Sequence, residues 1–282
     1  MTARTLAIAN KKGGTGKSTM TVNLAAELGA RGYRVLVVDT DPQGHAGLGF
    51  GVCARDETRS VHRVFRALHP DLADAVCTTS EPGVDIIPAD RHFDGQVQIG
   101  DPRCLARALD QLKPRYDVVL IDTPPAAANV TVCVLMAADG VMVPTVLDYL
   151  ALDGVRQFAR AYHQVVLQLK ATLLGLAIAP MMIDFRNNMQ KRVLDDLRLG
   201  FGGGQMMRGV RIDVSVAEAF ALNQPLRRYQ INSRAAEDFR AVADDVTRRF
   251  NLPATTRAGG ADSLDRCNDH VAEFLAGRHA RL

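Results

Sequence analysis

The sequence predicts an α/β fold, a doubly wound and mostly parallel sheet with helices on both faces, built as a single main domain. Three observations carry that expectation. Short apolar runs of strand length recur along the chain, they alternate with longer stretches of helical periodicity, and the first run leads through a glycine-rich loop straight into an amphipathic segment. Runs that are apolar on both faces suit strands covered from each side by helices. Regular β-α alternation favours parallel pairing, because each helix returns the chain to the same end of the sheet.

Taken in order, the expected strands are Leu6–Ala9, Val35–Asp39, Val84–Ile87, Val118–Asp122, Gly140–Pro144 and Gly175–Met182. Between them, Ser18–Arg31, Arg103–Leu112, Leu152–Lys170 and Met189–Leu199 carry helical spacing. The last helix of the body opens at Ser233, a hydroxyl N-cap, and sets Ala236, Phe239, Ala243, Val246 and Phe250 on one face. Pro253 ends it, so residues 1–252 form the expected main domain. Thr255–Gly260 reads as a linker, after which Leu264, Cys267, Val271 and Leu275 recur at helical spacing; residues 253–282 are therefore expected to be a linker and a short C-terminal helical tail.

The composition, 47% hydrophobic and 23% charged over 282 residues, is that of an ordinary globular protein and excludes disorder throughout. The N-terminus enters the glycine loop without a long apolar segment or cleavage site, and no stretch is long enough to cross a bilayer, which predicts a cytoplasmic location. Cys53, Cys77, Cys104, Cys133 and Cys267 are odd in number and form no C-x-x-C pair, so neither a disulfide framework nor a zinc site is expected. The net charge of +3 is unevenly spread: residues 151–250 hold 15 basic and 10 acidic side chains, against 15 and 17 in residues 1–150. A polyanion would be drawn to that later segment.

The chemistry concentrates after the first strand, in Lys11-Lys12-Gly13-Gly14-Thr15-Gly16-Lys17-Ser18-Thr19. Glycines let backbone N–H groups turn inward around a phosphate, Lys17 brings a point charge to the β- and γ-phosphates, and Ser18 offers a hydroxyl to Mg²⁺ at the helix N-terminus. Gly13, Gly14, Thr15, Gly16, Lys17, Ser18 and Thr19 are thus the candidate nucleotide cradle. Two strands end in carboxylates, within Val38-Asp39-Thr40-Asp41-Pro42 and Val118-Val119-Leu120-Ile121-Asp122-Thr123-Pro124. Charges there lie where an open parallel sheet receives ligands, and phosphoryl transfer asks mainly for positioned metal and water.

An ordinary phosphate loop does not need Lys12. With it, the sequence resembles the deviant Walker A family that includes ParA/Soj partition ATPases, MinD and the nitrogenase iron protein. The resemblance implies ATP and Mg²⁺ as cofactors and a sandwich homodimer formed on ATP, in which Lys12 acts across the interface and Lys17 within its own protomer. It also implies that Asp41 positions the attacking water, that Asp39 supports it near the metal, and that Asp122 holds Mg²⁺ through water. Val143-Pro144-Thr145, Leu150-Ala151-Leu152-Asp153-Gly154, Asp184-Phe185-Arg186-Asn187, and Ala217-Glu218-Ala219 before Gln224-Pro225 extend the likeness to ParA/Soj proteins over residues 4 to 250. His45 in place of the commoner Asn, Phe220 in place of a usual proline, and an arginine displaced from its place before Ala217 depart from it.

From the resemblance follows an expected function: a switch with weak basal ATP hydrolysis, stimulated by a ParB-like or cargo-adaptor protein, that positions a large cargo on non-specific DNA at the nucleoid and not on a membrane. Arg186 occupies a DNA-contacting position by resemblance. In the helix that follows, core-facing Met189, Val193, Leu194 and Leu197 turn Lys191 and Arg198 outward, and Arg208 and Arg211 are the nearest extensions of the patch. Rival readings find less support. Cys104 and Cys133, which an iron–sulfur protein would need in glycine-rich loops, sit in apolar or helical runs; the tail is short and weakly basic for a MinD-like membrane anchor; and no acceptor site for a ligase or kinase is visible.

Overall fold

The computed structural model describes residues 3–66, 71–94, 97–125, 128–169 and 174–255; the expected C-terminal helix, Cys267 included, lies outside them. Among the described residues, seven strands form one sheet: β1 (Arg4–Ile8), β2 (Val35–Asp39), β3 (Cys77–Thr78), β4 (Val84–Ile87), β5 (Val118–Asp122), β6 (Gly140–Val146) and β7 (Leu176–Met181). Their order is β3-β4-β2-β5-β1-β6-β7, parallel except for the two-residue edge strand β3. The doubly wound α/β fold is therefore as the sequence predicts. The antiparallel β3 is new, since two residues leave no period to read.

Strand alternation splits the core in two. Ala7, Leu36, Val38, Val119, Ile121, Val141, Val143 and Ile178 face one layer, packed beneath α3 (Cys104–Asp110), α4 (Ala128–Ala137), α5 (Ala151–Leu169) and α6 (Asn188–Phe201). Leu6, Ile8, Val35, Val37, Val118, Leu120, Met142 and Ala177 face the other, beneath α1 (Lys17–Ala30), α2 (His45–Gly49), α7 (Val214–Ala221), α8 (Leu226–Tyr229) and α9 (Arg234–Arg249). Ser233 caps α9 as expected, its hydroxyl accepting from the Ala236 N–H, and Phe239, Val246 and Phe250 are fully enclosed. Helix α4 was visible in the sequence only as an apolar run, because its residues are hydrophobic around most of its circumference. Phe220, on α7, lies close over Gly49 and so is part of the packing between α7 and α2.

The strand order reverses at β1: the chain leaves it through α1 toward β2 on one side, and crosses from β5 through α4 to β6 on the other. Loops after β1, β2, β5 and β6 consequently converge at the carboxyl end of the sheet, where open α/β folds bind ligands. Hydroxyls and an amide tie those strand ends together. The Thr40 hydroxyl donates to the Asp122 carbonyl at 2.6 Å, the Thr123 hydroxyl to the Ile8 carbonyl at 2.9 Å, and the Asn10 amide to the Pro144 carbonyl at 2.8 Å.

One close approach sets the depth of α1. A Cβ on Gly29 would stand 2.4 Å from the Pro82 carbonyl oxygen in the backbone turn before β4. Helix propensity alone favours alanine there by about 1 kcal/mol, whereas overpacking against rigid backbone costs about 1–3 kcal/mol. Gly29→Ala is expected to lower the urea midpoint; an unchanged or raised midpoint would show that α1 can slide off the turn.

Candidate nucleotide-binding site

The loop from Asn10 to Gly16 joins β1 to α1. Gly14 (φ 71°) and Gly16 (φ 87°) stand in the left-handed region, and a Cβ on Gly16 would also meet the Met181 side chain at 2.9 Å, so both conformation and space call for glycine. Gly16 is the N-cap of α1 and offers no side chain to its orphan N–H groups, which leaves them for an anion. The Asn10 side chain accepts from the Lys12 N–H, and the Thr15 hydroxyl reaches the Lys12 carbonyl.

The two lysines diverge. Lys17 is buried and its ammonium turns back into the loop, 3.3 Å from the Lys12 carbonyl. Lys12 is partly exposed and its ammonium pairs with Asp148, beyond the end of β6. Burial pulls the Lys17 pKa below its ordinary value, while Asp122 and Asp41 act to hold it up.

The carboxylates of Asp122 and Asp41 act on that buried ammonium, and Asp39 is buried beside both of them. Burial pushes the Asp122 carboxyl up to about 7 against the stabilising Ser18 hydroxyl, and Asp41 adds to the rise; Lys17 and Thr21 oppose it. Asp39 is also raised, by burial first and then by Asp122. The oxygens of Asp39 are committed, accepting from the Asp41 N–H at 3.2 Å and the Gly47 N–H at 2.9 Å, so Asp39 props the loop that carries Asp41. Asp122 Oδ2 by contrast is buried with no hydrogen-bond partner among the described residues.

Excess buried negative charge and an unmatched carboxylate oxygen beside a serine hydroxyl fit a hard divalent cation. No cluster of three or more His, Cys, Asp or Glu among the described residues could hold a metal by itself. Mg²⁺ binds through one or two carboxylates, waters and substrate phosphates. Asp41 completes the set: it is buried, it accepts from the Gln43 N–H at 3.0 Å, and its charge is felt by Lys17, Asp39 and Asp122.

Behind the loop after β2 stands His62, wholly enclosed and stacked 4.1 Å from the Phe93 ring. Its Nδ1 accepts from the Asp90 N–H at 2.9 Å, which leaves Nε2–H to donate to the Thr40 carbonyl at 3.1 Å. His62, Thr40, Thr123, Asn10 and Asp148 were not anticipated. The threonines left a signal, the repeated Asp-Thr pair at two strand ends; His62 left none.

The candidate DNA residues divide. Arg186 is highly exposed and pairs with its neighbour Asp184, Lys191 reaches the Asn188 side chain, and Arg198 pairs with Asp195, all on or beside α6. Arg208 and Arg211 instead clamp the segment after α6 to α9, through Asp245 and through Asp238 with Glu237. Cys104 and Cys133 lie buried with sulfurs 4.0 Å apart inside the core. Among the described residues no helix is long and apolar enough to cross a membrane.

Fold and site together define a phosphate-loop nucleotide-binding protein. A family model described as "AAA domain" matches residues 3–174. The chain is 34% identical to the chromosome partitioning protein ParA of Caulobacter vibrioides over 253 residues, covering 87% of this chain and 94% of that protein. It is 32% identical to the sporulation initiation inhibitor protein Soj of Bacillus subtilis, with 86% and 97% covered. A crystal structure described as cobyrinic acid a,c-diamide synthase from Mycobacterium smegmatis, with bound ATP analogue and magnesium, superposes with a TM-score of 0.75 at 30% identity, over 90% of this chain and all of that one. The chain belongs to the ParA/Soj family of P-loop ATPases.

The His62 geometry makes stability depend on pH. Burial lowers its pKa from 6.5 to about 4, so the fold holds the neutral ring while the unfolded chain takes up a proton first. Its contribution is complete above pH 6.5 and is lost as pH falls from 6.5 toward 4, a change of about 3 kcal/mol at most. Urea midpoints measured across that window should fall more steeply for the native chain than for His62→Gln; parallel profiles would exclude His62 as the titrating group.

Proposed function

We propose that the protein is an ATP-dependent dimerising switch that positions or segregates a large cargo, using non-specific DNA as its matrix. The observation that carries this reading is the divergence of Lys12 and Lys17. One ammonium is buried in the phosphate loop. The other leaves its own loop for an exposed pair with Asp148, a weakly held position from which it can turn to a second protomer.

ATP and Mg²⁺ are the cofactors, and the bound nucleotide supplies the phosphoryl group to be transferred. The N–H groups from Gly13 to Thr19 and the Lys17 ammonium hold the phosphates; Ser18 and Asp122 hold the cation. Asp41 orients water, with Asp39 fixing its loop through the Gly47 and Asp41 N–H groups. Such a site positions groups and supplies no covalent partner, which suits slow hydrolysis used as a timer. A ParB-like or cargo-adaptor protein would set its rate, and the place of action is the cytoplasm at the nucleoid. The names of the Caulobacter and Bacillus relatives support a partition role.

Lys12→Ala is expected to abolish ATP-dependent dimerisation in light scattering while sparing first-site nucleotide binding; Lys17→Ala should lose binding itself. An undiminished dimer in Lys12→Ala would remove the trans role. Asp41→Ala should keep ATP bound and slow turnover by about 10²-fold, and wild-type turnover would refute its part.

DNA binding by the ATP dimer is expected to fall steeply with salt and to be indifferent to sequence, since phosphate contacts release counterions. Arg186 holds Asp184 in an exposed pair of small worth and is free to exchange it for phosphate. Arg186→Glu should therefore weaken binding to unrelated duplexes alike. Equal binding with ATP and ADP, or no effect of Arg186→Glu, would send the matrix role elsewhere.

A further inference from the structure

A cavity of about 510 Å³ opens at the carboxyl end of β4, between the loop after β2 and the loop after β4. It is not the phosphate loop. β2 and β5 stand between β4 and β1, three strand spacings of about 4.8 Å each, or about 14 Å. Gly44 and Gly47 form one wall, Pro88 to His92 another, and Cys53 to Glu57 the mouth.

Two arginines and a histidine share its lining with three carboxylates. Each carboxylate on the lining has an internal partner, although Asp90 Oδ2 accepts no hydrogen bond among the described residues. Asp56 accepts from the Thr58 and Arg59 N–H groups, Glu57 pairs with Arg66, and buried Asp90 accepts from the His92 N–H and faces Arg66 at 3.5 Å. The side chains of Arg55 and His92, both exposed on the lining, have no hydrogen bond or ion pair among the described residues. Arg91 adds a third basic group, its Nε 3.1 Å from where a Cβ on Gly44 would stand. A volume of this size, with the unpartnered side chains of Arg55 and His92 on its lining, suits a small anion of metabolite size.

The walls are mechanically joined to the hydrolytic loop. Gly47 holds Asp39 through its N–H, and Gly44 donates its N–H to the Asp41 carbonyl at 2.8 Å. From the opposite wall, the Asp90 N–H is linked through His62 to the Thr40 carbonyl. A ligand that draws the two walls together therefore shifts the peptide between Thr40 and Gly47, on which Asp41 rides.

We propose that this cavity is a second ligand site, for a small phosphate- or carboxylate-bearing molecule, and that its occupancy adjusts ATP hydrolysis through the loop carrying Asp41. The regulatory half rests on the reading of Asp41 given above; the binding half does not.

Calorimetry tests binding directly, on the full chain saturated with ADP and Mg²⁺ so that the phosphate loop is filled. The probes are 3-phosphoglycerate and tricarballylate, at constant ionic strength and free Mg²⁺. Saturable binding of at least one probe, weakened by about tenfold or more in the Arg55→Ala/His92→Ala double variant and retained in Lys17→Ala, which is measured without nucleotide because its phosphate loop does not fill, is the expected result. No saturable binding of either probe, equal binding by the double variant, or loss in Lys17→Ala would overturn the site. Turnover is measured separately. The bound probe should change the ATPase rate of the native chain and leave that of the double variant unchanged, and binding without any change in rate would overturn the regulation while keeping the site. Absence of ATPase activity in the unliganded native chain would count against the proposed function and not against the cavity.

Discussion

At the end of the sheet one buried ammonium faces the carboxylates of Asp122 and Asp41, with Asp39 buried beside them, and the rest of the molecule is arranged around that crowding. Lys17 alone cannot neutralise Asp39, Asp41 and Asp122, and burial already pulls its own proton affinity down. A buried charge without compensation is expensive. Part of the excess is met by backbone N–H groups on Asp39. The remainder, Asp122 Oδ2 above all, is met by no partner among the described residues and is the place where a cation restores balance. Phosphates and a divalent ion together would satisfy both the orphan N–H groups of α1 and the crowded carboxylates.

The same crowding explains the cross-ties. Carboxylates held close together in a dry site push their loops apart unless something fixes the strand ends. Thr40 and Thr123 supply short bonds between neighbouring strands, and Asn10 does so between β1 and β6. His62 extends the lattice sideways, because its neutral ring donates a hydrogen bond to the Thr40 carbonyl and accepts one from the Asp90 N–H. Movement of Asp41 is in this way coupled to both walls of the cavity beside β4, which a loop held only by its own turn would not be.

Much of this was legible in the sequence because it depends on local rules. The phosphate loop needs glycine at fixed places, and the φ values of Gly14 and Gly16 are what those glycines foretold. Parallel strands covered on both faces read as unbroken apolar runs, so β2, β4 and β5 emerged with the expected bounds. What escaped notice depends on contacts between distant residues. The pairing of β3 with β4, the link from His62 to Thr40 and the pair between Lys12 and Asp148, 136 positions apart, leave no periodic trace. The standing of Asp39 was legible as a carboxylate at a strand end, but its part as a prop became visible only when α2 brought Gly47 to it.

The arginines show the same limit from the other side. Sequence alone treats Arg186, Arg208 and Arg211 as equivalent cations in a basic segment, yet their partners rank them differently. Arg211 holds Asp238 through several bonds and also reaches Glu237 and the Arg234 carbonyl, and Arg208 holds Asp245 by both side chain and backbone. Turning either toward a phosphate would unfasten α9 from the segment after α6. Among the described residues the side chains of Arg186, Lys191 and Arg198 are tied only to residues two or three positions away, in exposed pairs that water and salt already weaken. If a polyanion is held at this end of the molecule, the α6 side can meet it without loss of structure, and the arginines on the α9 side serve the fold first.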